Sequence, residues 1–327
     1  MTKLGLGTIG TSGITEQFIE AAQLSDMYVY QGVYSRHMDK ADEFKKRYNA
    51  ATAYDDFDAF LNDSTIDVVY VASPNSLHFS QAKAVIEHNK HAIVEKPMVA
   101  SLEKWTELTE LAKEKGVVVV EAARHIFEPN FIKITDMIKG FEGISGATLT
   151  YSKYSSRYDN VLAGEEPPIF SPKFAGGAAN DLGIYTVYAA LRWFGKPEAV
   201  HAFSHTISTG ADGLGTAILR YENFDVTLHY GKIVTATVPS EVYSLDQTLV
   251  LDAITGLEKA ELVDAKTRES QTVELDKSAD NPLIWEAKAF AKVMQDPNEK
   301  ENKEALNEWL RLSYNVHQVL DQIRSQA

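Results

Sequence analysis

The amino-acid sequence predicts an α/β protein: a doubly wound parallel sheet first, then an α+β domain with an open, mainly antiparallel sheet. Three observations predict this. Up to Glu121, short apolar runs alternate with stretches of helical periodicity, the order that lays helices on both faces of a parallel sheet. Beyond Glu121 the alternation gives way to a series of half-apolar strands with few helices, as antiparallel sheets do. The length of 327 residues exceeds the ~250–300 that one core usually serves. Two domains follow, 1–121 and 122–327, with the C-terminal helices packing back on the first.

Each element rests on its local pattern. Lys3–Gly7 reads as a strand, and Ile14–Leu24 as a helix with Ile14, Phe18, Ala21 and Ala22 at helical spacing. Tyr28–Tyr34 is the second strand, and Lys40–Tyr48 a helix with Ala41, Phe44 and Tyr48 on one side. Asp67–Ala72 carries Val-Val-Tyr-Val, a run suited to a strand buried on both faces. Helix Ser80–Glu87, strand His91–Glu95, helix Glu103–Lys115 and strand Val117–Val120 complete the first domain. In the second, Ile144–Tyr154 alternates like a half-exposed strand. Residues 159–177 form a loop with Pro167-Pro168 and Gly176-Gly177, a candidate lid. Leu182–Phe194 is a helix that exits at Gly195 and Pro197. Strands follow at 199–207, 215–221, 224–231, 244–251, 258–264 and 270–275, then helices at 283–296 and 301–323. Leu306, Trp309, Leu310, Ser313, Val316, Leu320 and Ile323 make one apolar face, which must pack on the first domain or on a partner.

Composition excludes several roles. Hydrophobic residues are 44% and charged residues 24%, which rules out a mainly disordered or fibrous chain. Lys and Arg number 32 against 46 Asp and Glu, a net charge of −14. So acidic a chain repels phosphate backbones and anionic lipid, and neither nucleic acid nor a membrane surface is an expected partner. Without cysteine there is no disulfide, thiolate nucleophile or Cys-ligated metal, which fits a reducing compartment. No apolar run reaches the ~18 residues of a membrane span, and an apolar strand already begins near Leu4, leaving no room for a leader. A cytoplasmic protein is expected. His88/His91 and His201/His205 have ligand-like spacing but no carboxylate set beside them, so no metal is expected.

The chemistry-bearing residues come in order along the chain. Gly5-Leu6-Gly7-Thr8-Ile9-Gly10 is a G-x-G-x-x-G, read as following a strand and opening a helix. Glycines there permit a tight turn and let backbone N–H groups approach a pyrophosphate at the positive end of a helix. The plainer alternative is a glycine turn without a ligand. The second strand ends Val33-Tyr34-Ser35-Arg36-His37, with no carboxylate for a ribose 2′-hydroxyl. Ser35 can donate to a 2′-phosphate, and Arg36 can pair with it and stack on adenine. NADP is therefore the expected cofactor, with NAD as the alternative; Arg36 as a solvated surface charge is the competing reading.

Ser73-Pro74-Asn75-Ser76-Leu77-His78 follows another strand, where open α/β sheets bind ligands. Asn75 could equally cap a helix, and His78 could pack or touch the ligand edge. Glu95-Lys96-Pro97 follows the next strand. A Lys there, desolvated beside a nicotinamide cation, would have a lowered pKa and could help move a hydroxyl proton. Pro97 stops the strand and fixes the turn, with a cis bond an option. Finally Asp181 and Tyr185 stand at i and i+4 on a helix after Gly176-Gly177, with Tyr188 and Arg192 on the same side. Tyr beside a cationic Lys can serve as general acid and base.

Taken together these motifs resemble the Gfo/Idh/MocA oxidoreductases, in that family's order. They comprise the glycine fingerprint, Ser35-Arg36, the Ser73–His78 run, Glu95-Lys96-Pro97, Glu121-Ala122 and the Gly-Gly…Asp-x-x-x-Tyr helix. The resemblance covers about the first 195 residues; the remainder fits by length and strand pattern. It implies an N-terminal Rossmann domain, with Gly5, Gly7, Thr8, Ile9, Gly10, Ser35, Arg36, Ser73, Asn75, His78, Glu95 and Lys96 on the cofactor side. It implies Lys96, Tyr185 and Asp181 as the catalytic set, Asp181 holding the Lys or the substrate. Tyr at 185, with Ser35-Arg36, points to the glucose–fructose oxidoreductase and dihydrodiol dehydrogenase branch rather than to the His-bearing inositol dehydrogenases. After Glu121-Ala122 the chain departs from relatives: Ile126 stands where they often carry Arg, and Arg124 lies two residues earlier. The large sheet would make a homodimer or homotetramer.

The expected activity is hydride transfer between NADP(H) and a secondary alcohol or carbonyl of a sugar-like or cyclic polyol substrate. The alternatives are an NAD-dependent inositol or sugar dehydrogenase of the same family, or a non-catalytic NADP-binding sensor. Tyr154, Arg157 and Tyr158 could contact substrate, or form an exposed sheet edge.

Overall fold

β1 (Leu4–Ile9) is buried at every residue, so nothing along it needs to alternate, and it sits in the middle of a six-stranded parallel sheet. The computed structural model describes residues 2–326. It has two compact units: the chain up to Arg124 together with Ala279–Arg311, and His125–Ser278 together with the chain from Leu312 onward. The segment Ala279–Arg311 thus groups with the first 124 residues rather than with the residues that precede it.

In the first unit, β1 is flanked by β2 (Tyr28–Tyr34), β3 (Thr52–Tyr54), β4 (Val68–Val71), β5 (His91–Glu95) and β6 (Val119–Ala122) in the order β3-β2-β1-β4-β5-β6. Every neighbouring pair is parallel. The order reverses between β1 and β4, which opens a crevice at their carboxyl ends. The crossovers are α1 (Gly13–Ser25), α2 (Met38–Tyr48), α3 (Phe57–Leu61), α4 (Asn75–Glu87) and α5 (Leu102–Lys115). Helix ends obey local rules: Ser101 accepts from the Lys104 amide at the start of α5, and Gly116 closes it at φ +69°. Phe18 of α1 stacks on Tyr70 of β4 with centroids 3.9 Å apart, joining helix to sheet core. α9 (Ile284–Gln295) packs on α1, and the Tyr28 hydroxyl donates to the Ala287 carbonyl at 2.7 Å. That bond lies among buried groups and explains why the returning segment belongs here.

The second unit holds an eight-stranded sheet. Its strands are β7 (Gly146–Ser152), β8 (Ala199–Thr206), β9 (Asp212–Arg220), β10 (Asp225–Gly231), β11 (Ser240–Tyr243), β12 (Gln247–Leu251), β13 (Ala260–Asp264) and β14 (Ser270–Val273). The order is β14-β13-β12-β11-β7-β10-β9-β8, antiparallel throughout except for β7 beside β10. Of the stretch read as one strand at 244–251, only Gln247–Leu251 is strand; the residues before it turn the chain out of β11, with which β12 forms a hairpin. The Ser244 hydroxyl donates to Asp246 and to the Gln247 carbonyl, turning the chain between β11 and β12. α6 (Pro129–Lys139) lies outside the elements read from sequence, although its buried Phe131, Ile134 and Ile138 fall at helical spacing and Pro129 starts it. The 159–177 segment is a set of short turns around α7 (Tyr158–Leu162), and Phe170 within it is wholly buried with Val161, Ile207 and Ala211. It is a packed loop with its own small core. α8 (Ile184–Phe194) is buried almost all round. The final helix, α10 (Lys300–Arg324), is divided between the units at Arg311 and Leu312. Of its expected apolar face, Ser313, Val316, Leu320 and Ile323 are buried, while Leu306, Trp309 and Leu310 are half-buried.

Candidate active site

The glycine fingerprint divides in two. Gly5 and Gly7 lie inside β1, not after it. A Cβ on Gly5 would overlap the Thr65 carbonyl, and one on Gly7 would meet the Phe60 ring at 2.8 Å. These glycines let the sheet pack against the segment before β4. Thr8 is fully buried with its hydroxyl 2.7 Å from that of Tyr30, and Ile9 is core. Gly5, Gly7, Thr8 and Ile9 thus lie within the strand, where the expectation set the glycine turn. The physical reason is strand length: six residues must pass before the chain leaves the sheet.

The turn itself is Gly10-Thr11-Ser12-Gly13. Gly10 has φ +109°, a conformation side chains avoid, and a Cβ there would lie 2.6 Å from the Ala72 carbonyl. Ser12 is the N-cap position of α1, and Gly13, its first residue, faces open space. Thr11, Ser12 and Gly13 were missed because the earlier glycine triplet matched the consensus spacing. The signal for them was present in the second pattern, Gly10-x-x-Gly13, placed where a strand of ordinary length ends.

Ser35 and Arg36 follow β2; Ser35 is half-buried, its amide donating to the Tyr54 carbonyl, and Arg36 is exposed. After β4 come Ser73 and Asn75, with Pro74 as the N-cap of α4 and Asn75 its first residue. His78 is 1% exposed, with Nδ1 2.9 Å from the Pro97 carbonyl and Nε2 2.8 Å from the Ser73 carbonyl. It braces the turns after β4 and β5, in contact with one carbonyl of each. Burial pushes its pKa down, while the two carbonyls and the Glu121 carboxylate pull it up. The Lys96–Pro97 peptide is cis.

Glu95 is buried and accepts from the Tyr70 hydroxyl at 2.6 Å and from the Lys96 amide at 3.2 Å. Burial raises its pKa; the charge of Lys96, the Tyr70 hydroxyl and the charge of Arg124 oppose that rise. Lys96 itself is half-buried. Glu121 accepts from the Met98 amide at 2.8 Å. Ser35, Gly10, Ser73 and Lys96 thus stand at the carboxyl ends of the adjacent strands β2, β1, β4 and β5 in that order.

The second unit holds the other pair. Asp181 lies in a π-helical turn, Ala179–Gly183, that leads into α8. Such turns are rare and concentrate at functional sites. The turn is held from several sides. The Ala179 amide donates to the Asp212 carboxylate at 2.7 Å, and Asn180 bonds the Ala175 carbonyl and Arg324. Burial raises the pKa of Asp212, and amides at Ala179 counter it. Asp181 pairs with Lys232 at 2.6 Å. Tyr185 is 9% exposed, its ring 4.9 Å from His125 and 5.4 Å from Tyr151. Lys232 and His125 were not singled out in the sequence; both follow strands or short turns with no motif to mark them. Tyr154 donates to Asp159 at 2.6 Å and is exposed.

His88 and His91 serve structure: Nδ1 of His88 lies 2.8 Å from the Ala84 carbonyl, and the Val118 amide donates to Nδ1 of His91. Among the described residues no helix is long and apolar enough to cross a membrane.

Comparison with known proteins agrees with this layout. Residues 4–123 match the oxidoreductase family with an NAD-binding Rossmann fold, Gfo/Idh/MocA, and residues 148–249 match the Gfo/Idh/MocA C-terminal domain. The chain is 33% identical over 320 residues to scyllo-inositol 2-dehydrogenase (NADP(+)) IolU of Bacillus subtilis, covering 97% of this chain and 95% of that one. It is 28% identical over 219 residues to D-xylose 1-dehydrogenase (NADP(+)) 2 of Haloferax volcanii, covering 66% of each. The solved structure of KijD10, a 3-ketoreductase from Actinomadura kijaniata, in complex with NADP and TDP-benzene, has the same fold. Its TM-score is 0.86 at 19% identity, over 100% of this chain and 98% of that one. With a Rossmann sheet of order β3-β2-β1-β4-β5-β6, a mostly antiparallel second sheet and a relative matched along nearly its whole length, the chain belongs to the Gfo/Idh/MocA family of oxidoreductases.

Proposed function

We propose that this protein is an NADP(H)-dependent oxidoreductase acting on a secondary alcohol or carbonyl of a sugar-like or cyclic polyol substrate. The observation that carries the reading is the pair of Gly10–Gly13 at the start of α1 and Ser35-Arg36 at the end of β2. The first fits a pyrophosphate, since Gly10 turns where a Cβ has no room and Gly13 leaves the helix start open. The second fits a 2′-phosphate, with an exposed guanidinium and no carboxylate at the strand end. Both curated relatives named above carry NADP(+) in their names, as dehydrogenases of scyllo-inositol and D-xylose. When bound, the cofactor supplies or accepts a hydride.

In this reading the chain's own residues manage the proton and the substrate oxygen. In the first unit Lys96 has the role of polarising a substrate oxygen; in the second, Tyr185 exchanges a hydroxyl proton as general acid and base, with Asp181 as a positioning carboxylate. Glu95 holds the Lys96 backbone through its amide. The reading includes a reducing, cytoplasmic location, supported by the absence of cysteine from all 327 residues. It also includes a homodimer or homotetramer built on the eight-stranded sheet. Supporting that, Phe203 on edge strand β8 is 71% exposed, while its neighbours Ala202 and Val200 face the core.

The test is titration of the purified protein with NADP⁺ and with NAD⁺. NADP⁺ is expected to bind at least tenfold more tightly, and Arg36→Ala to remove most of that preference, since a charge-assisted bond contributes about 1.5–3 kcal/mol. Equal affinity would overturn the cofactor assignment and favour an NAD-dependent inositol-type enzyme. Loss of turnover with cofactor binding intact in Lys96→Ala and Tyr185→Phe separates an enzyme from a sensor.

A further inference from the structure

We propose that Lys232 is a positioning residue for Asp181, clamping the π-helical turn and the 168–177 loop into one unit. The inference rests on the oxidoreductase reading above, in which Asp181 positions the reacting groups.

Lys232 follows β10, and its backbone is fixed before its side chain begins. Its amide donates to the Gly213 carbonyl at 2.8 Å, and its carbonyl accepts from the Ser155 amide at 2.9 Å. From there the side chain runs inward, 2% exposed, to Asp181, Ile169 and Phe170. Nζ lies 2.6 Å from Oδ2 of Asp181, donates to the Ile169 carbonyl at 3.1 Å, and stands 4.7 Å from the centre of the Phe170 ring. Ile169 and Phe170 belong to the packed loop, Asp181 to the π-helical turn. One ammonium therefore ties these two stretches to the end of β10.

The two carboxylates near it are treated differently. Asp212 is a half-buried group already occupied by the Ala179 amide, and Lys232 acts on it through charge. The Asp181 side chain remains 35% exposed beside its fully buried partner. A carboxylate anchored by a buried partner and still partly exposed is what positioning needs. A buried ion pair is a poor way to gain stability, because desolvation offsets much of the attraction and an apolar side chain of similar size would do as well. What the pair does supply is a single orientation for the carboxylate, held by a donor that cannot drift.

The experiment compares the whole protein with Lys232→Met, Lys232→Arg, Asp181→Asn and the Lys232→Met/Asp181→Asn double variant. It reads NADP⁺ affinity, scyllo-inositol oxidation by NADP⁺ and thermal unfolding. In Lys232→Met, kcat should fall about 10–100-fold, the usual effect of misplacing a reacting group. KM and NADP⁺ affinity should stay within about twofold, and Lys232→Arg should recover part of the loss. The double variant should be no slower than Asp181→Asn, because the two residues act as one unit. A Lys232→Met protein with wild-type kcat, or losses that multiply in the double variant, would overturn the inference. If NADP⁺ binds but scyllo-inositol is not oxidised, the substrate class fails, and unfolding decides the inference. A Tm loss in the double variant smaller than the sum of the single losses supports the clamp, and an additive loss overturns it. Should Lys232→Met fail to fold, Lys232→Gln takes its place in the same cycle.

Discussion

His78 and Pro97 are joined across the carboxyl edge of the first sheet: Nδ1 of the imidazole lies 2.9 Å from the Pro97 carbonyl, and the other ring nitrogen 2.8 Å from the Ser73 carbonyl. A residue on α4 thereby sets the separation of the turns that follow β4 and β5. Replacing it removes the brace and leaves buried carbonyls without it. His78→Ala should lower stability by about 2–4 kcal/mol, from a lost hydrogen bond and a cavity, and should weaken NADP⁺ binding as the turns relax. Denaturant unfolding and a fluorescence titration check both; an unchanged unfolding midpoint would remove the brace from the account.

The two classes of glycine in the fingerprint separate by mutation. Gly5→Ala forces a Cβ into the Thr65 carbonyl, and should cost about 3 kcal/mol or more through overpacking. Gly13→Ala meets no atom within 4 Å, and should leave stability within about 1 kcal/mol of the parent. Its methyl group occupies the approach to the helix start, so NADP⁺ affinity should drop about tenfold, or about 1.4 kcal/mol. Undiminished binding by Gly13→Ala would place the phosphate turn elsewhere.

Glu95 makes stability depend on pH in a stated direction. Its folded pKa is raised by burial above the ordinary 4.5. Between that value and the raised one the native state holds more protons than the unfolded state, so stability falls as pH rises through the window. Glu95→Gln removes the titration and keeps the shape. Urea midpoints measured from about pH 4.5 to pH 8 should therefore decline less steeply in the variant. Parallel profiles would show that Glu95 is not the source of the decline.

The returning segment Ala279–Arg311 gives a fourth prediction. Tyr28 is 5% exposed and spends its hydroxyl on the Ala287 carbonyl of α9. Tyr28→Phe should cost about 1 kcal/mol, the usual value of one buried hydrogen bond, and should raise amide exchange in α9 more than in β9 or β10. Uniform exchange across these elements would mean that the bond does not hold the segment.

Much of the fold was legible locally. Asp67–Ala72 reads as a strand because its Val-Val-Tyr-Val run suits a sheet covered on both faces, and β4 is Val68–Val71. Tyr28–Tyr34 and His91–Glu95 have the same limits in sequence and in structure. Less legible were places where a local pattern had two solutions. The G-x-G-x-x-G matched at Gly5, but a strand six residues long carries Gly5 and Gly7 into the sheet and delivers Gly10 to the turn. The Asp181 helix reads as regular from its spacing, whereas Asp212, Asn180 and Arg324 hold its first turn open as a π-helix.

By itself the sequence determined the alternation of strands and helices up to Glu121, the Rossmann sheet, the missing carboxylate after β2 and the placing of Lys96 just beyond a strand. These depend on hydrophobic period and on residue type at strand ends, which act over a few residues. Tertiary structure alone decided that His78 is a buried brace and that Ala279–Arg311 joins the first unit. It alone decided that Lys232 is the partner of Asp181, 51 positions away in sequence. Burial and pairing across such separations follow from which surfaces meet, and no local periodicity encodes that.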